Sequence, residues 1–141
     1  MTNLQAALGV AQLERLDQIL ERRWSQEQQY KECLSASEQL DFRPQQSWGQ
    51  SVHWLMTIRF KKEGIRDEML GYMNQKKVDC RQMVYPVHYA KHFRASYDQQ
   101  QFPESERISL NSMHLPSSTN LSNESIEEIS RVVLEGLGRY G

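Results

Sequence analysis

Glycine is scarce in this chain and never clustered: Gly9, Gly49, Gly64 and Gly71 stand alone, and Gly136, Gly138 and Gly141 crowd the C-terminal end. No glycine-rich loop is therefore present to cradle a phosphate at a helix start, and ATP- or NAD-type binding has no support. Cysteine is nearly absent. Cys33 and Cys80 lie far apart, without the close spacing of a metal knuckle or a redox pair, so both read as reduced thiols. Long apolar runs are missing too; the longest is a few residues, against roughly 20 for a membrane span. The first twenty residues carry charges where a secretory signal would need an apolar core. Nor does one sign of charge dominate, since 17 Lys and Arg face 18 Asp and Glu for a formal net charge of −1. Without a global field to draw the chain onto nucleic acid or an anionic membrane, any partner has to be recognised locally. These absences lead us to expect a cytoplasmic chain that engages neither nucleic acid nor membrane, and 141 residues is about one domain's worth.

What is present is amphipathic patterning. Leu4, Leu8, Ala11, Leu16, Ile19, Leu20 and Trp24 recur at steps of about three and four, with Thr2 placed to cap, and a weaker continuation runs through Tyr30, Cys33 and Leu34. The spacing predicts one long helix reaching about Gln39, closed by a loop containing Pro44 and Gly49. Arg22, Arg23 and their polar neighbours read as its solvated face. Val52 to Phe60 alternates, with Val52, Trp54, Met56, Ile58 and Phe60 on one face, which predicts a strand. Ile65 to Lys77 has a helical apolar stripe, Val78 to Val84 reads as a second strand ended by Pro86, and Met113 to Leu115 as a third. Pro103 is placed to open a helix, and Ser122 to cap a final one whose apolar face is Ile126, Ile129, Val133 and Leu137. The expected fold class is α+β, a small three-stranded sheet covered by helices. Its organisation is a linker helix over residues 1–40 and a small domain over 41–141, forming a single structural unit.

Few residues combine into recognisable chemistry. His88 and His92 stand four apart, a spacing that suits a metal only on an established helix, and Pro86 argues against one there. No metal site is expected. His53 and His114 are single histidines for which a structural role is the default, and neither cysteine has the setting of a nucleophile. The paired lysines 61/62 and 76/77 sit at element ends, where solvated charge is normal. The segment from Tyr85 to Phe102 is unusually aromatic, with Tyr85, Tyr89, Phe93, Tyr97 and Phe102 around His88 and His92.

Several short stretches, taken in order, resemble the C-terminal third of the DegT/DnrJ/StrS family of sugar-nucleotide aminotransferases. They are Met1-Thr2-Asn3-Leu4-Gln5-Ala6-Ala7-Leu8-Gly9 with Ala11-Gln12-Leu13-Glu14 and Asp17, then Val52-His53-Trp54-Leu55, Arg66-Asp67 and Tyr85-Pro86-Val87-His88. Phe102-Pro103 with Glu106, Leu115-Pro116-Ser117-Ser118 and the helix start after Leu121 complete the series. The resemblance implies the small domain of a fold-type I aminotransferase, dependent on pyridoxal phosphate and transferring an amino group to a keto-sugar nucleotide in surface-polysaccharide or deoxyaminosugar biosynthesis. It also implies that the large domain with the Schiff-base lysine would lie upstream of Met1. Lysines 31, 61, 62, 76, 77 and 91 have no context resembling that lysine's. The chain is accordingly expected to be a truncated form that binds no pyridoxal phosphate and is inactive alone. His88, with Tyr85 and Arg81 around it, is the expected sugar-nucleotide contact, although Tyr89-Ala90-Lys91 follows where the family usually has a glutamine-proline pair. A homo-oligomer, or a complementary large-domain chain docked through the N-terminal helix, is the expected partnership. A non-catalytic interaction or oligomerisation module derived from the family is the alternative.

Overall fold

The computed structural model describes residues 1–97 and 100–141, so Asp98 and Gln99, within the aromatic segment, lie outside it. The N-terminal helical pattern is divided in two. Helix α1 (Asn3–Leu13) opens with a full capping box: the Thr2 hydroxyl accepts from the Gln5 amide while the Gln5 side chain accepts from the Thr2 amide. The chain then turns at Glu14 and Arg15 before α2 (Leu16–Leu34) begins. No proline or glycine marks the break. It falls where packing begins, because α1 buries no residue whereas α2 buries Gln26, Tyr30 and Leu34.

Helix α2 ends at Leu34, short of the expected Gln39, because a strand missed in the sequence follows: β1 (Leu40–Phe42). It pairs with β2 (Met56–Phe60), Leu40 opposite Phe60 and Phe42 opposite Ile58. The sheet is completed by β3 (Arg81–Gln82) and β4 (Ser112–Leu115); all pairings are antiparallel, in the order β1-β2-β4-β3. The architecture is thus α+β as expected, with four strands among the described residues in place of three.

Two strands are shorter than their patterns. The alternation from Val52 is real, yet the strand begins only at Met56, because His53 takes a positive φ of 44° and turns the backbone out of the extended region. Val52 and Trp54 are consequently exposed, not in the core. Of Val78 to Val84, only Arg81 and Gln82 pair.

The core lies on one face of the sheet. Met56, Ile58 and Phe60 of β2 and Met113 and Leu115 of β4 point into it, and α2, α3 (Arg66–Gln75) and α6 (Asn123–Tyr140) close over them. Helix α6 starts where its sequence says it should, with the Ser122 hydroxyl accepting from the Ser125 amide, and buries Ile126, Ile129, Val133 and Leu137. It approaches α3 closely: a Cβ at Gly136 would stand 2.8 Å from Met69 Cε and 3.0 Å from the Tyr72 ring. On its other side α2 is tied to the segment before α6 by three bonds: Gln26 Nε2 donates to Ser118 O at 2.7 Å, Tyr30 Oη to Pro116 O at 2.9 Å, and Arg22 to Leu121 O. Arg22 thus belongs to the packing and not to a solvated face.

Between β3 and β4 the chain forms a 3-10 turn (Val87–Tyr89), the short α4 (Lys91–Arg94) and α5 (Pro103–Asn111), which opens with Pro103 at its first turn as expected. The Arg66 guanidinium is buried beneath α5, where Nη1 donates to Ser109 O at 2.8 Å and Nε to Asp67 at 2.8 Å. Alternation along the strands puts Thr57, Arg59, Ser112 and His114 on the face away from the core. Register then aligns Arg81, His114 and Thr57 in one row across that polar face.

Candidate functional site

The polar face carries two separate clusters. The first surrounds His88, which the 3-10 turn after Pro86 directs toward α5. Its Nε2 lies 3.0 Å from Glu106 Oε1, its ring stacks on Phe102 at 4.8 Å between centroids with the planes tilted by 31°, and Tyr89 meets it edge-on. Carboxylate and aromatic contacts fix the imidazole's orientation, leaving one edge on a shallow cavity of about 260 Å3 lined by Val87, His88, Tyr97, Phe102 and Ser105. Tyr85 and Arg81 do not line it. The Tyr85 hydroxyl lies 3.4 Å from Gln82 Oε1, and Arg81 extends into solvent with Asp79 3.7 Å away. Of the three residues singled out in the sequence, only His88 stands in a cavity. His92 lies in α4, separated from His88 by extended Ala90, and packs on Phe93. The two rings therefore share no helix face. No group of three or more His, Cys, Asp or Glu able to hold a metal occurs among the described residues. Burial, with Asp79 nearby, pushes the Cys80 thiol up to about 12, far from a nucleophilic thiolate at neutral pH.

The second cluster was not visible in the sequence because it joins α2, the bend at His53, and β4. One face of α2 clamps the loop before β2. Arg23 Nη1 donates to His53 O at 3.1 Å and Trp54 O at 2.9 Å, and the Trp24 indole N–H donates to Ser51 O at 2.7 Å. Glu27 accepts from His53 Nε2 at 3.0 Å and from Lys31 at 2.9 Å. Burial lowers the His53 pKa; Glu27 opposes that shift, while Lys31 and Arg43 add to it. These contacts hold His53 in its left-handed conformation and present Val52 and Trp54 outward. Beside them a groove of about 270 Å3 runs over the polar face, walled by Trp54, Met83 and Val84, with Arg43 at its rim and Thr57 and His114 among its lining residues. Thr57 Oγ1 lies 2.9 Å from His114 Nδ1, and the other ring nitrogen, Nε2, is buried with no partner. Burial alone lowers the His114 pKa, so the ring is neutral at pH 7.

The small antiparallel sheet with helices over one face and a leading helix is a fold shared with part of known aminotransferases. Over 96% of this chain it superposes on 36% of the aminotransferase TlmJ from Streptoalloteichus hindustanus, with a TM-score of 0.84 at 24% identity. It likewise matches 37% of Helicobacter pylori PseC, an aminotransferase involved in pseudoaminic acid biosynthesis, with a TM-score of 0.82 at 18% identity. The model of the DegT/DnrJ/EryC1/StrS aminotransferase family matches residues 1–134, and the chain belongs to that family. Among curated relatives, the GDP-perosamine synthases of Escherichia coli O157:H7 and Vibrio cholerae are each 28% identical over 135 residues. The chain spans about a third of their length, 36% in each case.

The family depends on pyridoxal phosphate, and neither cavity described above meets that group's need for a lysine amine, since no lysine lines either one. Lys31 is paired with Glu27, Lys76 with Glu135 at 3.4 Å, and Lys62 donates to the carbonyls of Tyr140 and Gly141. No helix of the described residues is long and apolar enough to cross a membrane.

Proposed function

We propose that this chain is the small-domain portion of a sugar-nucleotide aminotransferase, which transfers an amino group to a keto-sugar nucleotide only together with a polypeptide that carries the cofactor lysine. The observation that carries this reading is the family match along residues 1–134, against about a third of the length of the relatives. In that assembly pyridoxal phosphate would supply the electron sink, and it needs a lysine amine and an acid at the ring nitrogen from the other polypeptide. The contribution of this chain is to shape the substrate side. His88, held by Glu106 and Phe102, offers a hydrogen bond to a sugar or phosphate oxygen. Tyr85 and Arg81, exposed and outside the His88 cavity, would add a flat face and a cation if the substrate reaches beyond it.

Helix α1 is the docking element. It buries nothing, while Leu4, Leu8, Val10 and Leu13 are exposed along its 11 residues. An isolated helix of that length is marginal in water, so its apolar surface requires a mate. The mate is the complementary large-domain polypeptide, or a second copy of this chain where that polypeptide is lacking.

The test is to add pyridoxal phosphate to the purified chain, then to the chain co-expressed with a family large domain that carries the cofactor lysine. Alone, it should show no internal-aldimine absorbance and no amino transfer; with the partner, both should appear, and L4E/L8E should abolish them. An aldimine band from the chain alone would sink the proposal.

A further inference from the structure

The groove over Thr57 and His114 has no part in that proposed function, and it contains an anomaly. His114 is only 6% exposed, yet its Nε2 has no hydrogen-bond partner. A buried polar nitrogen left unpaired costs on the order of 1–3 kcal/mol, and such atoms in folded proteins call for an explanation. The tautomer follows from the neighbour. The Thr57 hydroxyl has one proton and one acceptor in reach, His114 Nδ1 at 2.9 Å. Donating it there satisfies the hydroxyl and leaves the ring proton on Nε2. The reverse arrangement would orphan both the hydroxyl proton and the Nε2 lone pair. His114, one of the groove's lining residues, therefore holds an unused N–H donor just beneath the groove surface.

Its other features define what that donor awaits. Among the described residues, Arg43 at the rim engages only Nη1, on Ser51 Oγ at 3.2 Å, which leaves its other N–H groups for a ligand. Glu27, the one carboxylate among the groove's lining residues, is already engaged by Lys31 and His53. The walls are Trp54, Met83 and Val84. Donors without free acceptors select an anion. A neutral imidazole N–H and one guanidinium are too few for the many oxygens of a phosphate, yet they match the two oxygens of a carboxylate. Apolar walls add the requirement for an apolar body, and about 270 Å3 limits it to a small molecule.

We propose that this groove binds a small organic carboxylate, with its two oxygens on His114 Nε2 and the Arg43 guanidinium and its apolar body between Trp54 and Met83. The site goes beyond the proposed function and uses neither His88 nor α1.

Long-range 1H–15N spectra of the histidine rings in the full 141-residue chain test it, with benzoate as probe and benzyl alcohol and inorganic phosphate as comparators. His114 should read as the Nε2–H tautomer and shift saturably with benzoate, at least tenfold more tightly than with either comparator. Arg43→Gln, an exposed change that leaves the core intact, should weaken benzoate binding by about 10-fold or more, the size of a charge-assisted hydrogen bond. His114→Gln should abolish saturation, and Trp54 fluorescence should report the same loss. An Nδ1–H tautomer, an equal response to benzyl alcohol, tighter binding of phosphate, or unchanged affinity in Arg43→Gln would each overturn the proposal. Because none of these readouts involves pyridoxal phosphate or a partner chain, failure here leaves the aminotransferase reading standing.

Discussion

Gly136 and Gly71 sit on the two helices that pack against each other, and a methyl group added to each should have opposite consequences. Gly71 lies inside α3 on its exposed side, and a methyl group there would meet nothing within 4 Å. Gly71→Ala should therefore return the ordinary helix-propensity gain of about 1 kcal/mol. Gly136→Ala makes the same intrinsic gain inside α6, but its methyl would stand 2.8 Å from Met69 Cε, 2.9 Å from Met69 Sδ and 3.0 Å from the Tyr72 ring. Met69 is fully buried, so its side-chain end and the Tyr72 ring must shift within the packed core to admit the methyl group, at about 1–3 kcal/mol. The two variants should differ by that amount, with Gly71→Ala more stable than the parent and Gly136→Ala equal to it or less stable. At roughly 4 °C per kcal/mol for a domain of this size, the gap in Tm is on the order of 4–12 °C. Urea unfolding with unchanged m-values would assign it to the native state. Combining Gly136→Ala with Met69→Ala should recover part of the loss as a favourable coupling. If Gly136→Ala stabilises as much as Gly71→Ala, α6 does not lie against Met69 and the account of the core fails.

Acidification should destabilise the chain from about pH 6.5 downward. Burial lowers the pKa of His114, and of His53 as its largest cause, so the unfolded chain takes up protons first as pH falls below the ordinary histidine value of about 6.5. Stability present above that value is lost progressively toward the depressed folded values, and His114→Gln should flatten the slope below about pH 6.5; a flat profile in the parent would refute it. Ser122→Ala should cost about 1 kcal/mol in urea unfolding, because the capped helix α6 closes the core. Thr2→Ala should leave global stability within about 0.5 kcal/mol and reduce only helical circular dichroism, since α1 buries nothing. A larger global loss for Thr2→Ala would mean that α1 packs on the domain.

The parts of the fold legible in the sequence were those determined locally. Ser122, Pro103 and the 3.6-residue stripe of α6 each specify their structure within a few residues, and the structure follows them. Misreadings arose where long-range contacts decide. Nothing local distinguishes Glu14 and Arg15 as a break, which depends on the bonds from α2 to residues 116–121 beginning where they do. Leu40–Phe42 is too short to show a period, and becomes a strand because β2 is beside it. Val52 and Trp54 alternate correctly with Met56, but Arg23 and Glu27, nearly thirty residues earlier, hold His53 in a bend. The same limit applies to function. The position of His88 was suggested by family resemblance, whereas the pairing of Thr57 with His114, fifty-seven residues apart, exists only once β2 and β4 are in register.

The outer strands of the sheet have a consequence for how this protein can associate. β3 pairs through two residues and β1 through three, and each carries a charge along its short length, Arg81 on one and Asp41 on the other. A neighbouring chain would find too few free amides and carbonyls to extend the sheet, and would have to lay its backbone over an ion. Strand addition, and with it the route to fibrils, is closed at both ends. Short, charged edges of this kind favour association through side chains over addition of a strand.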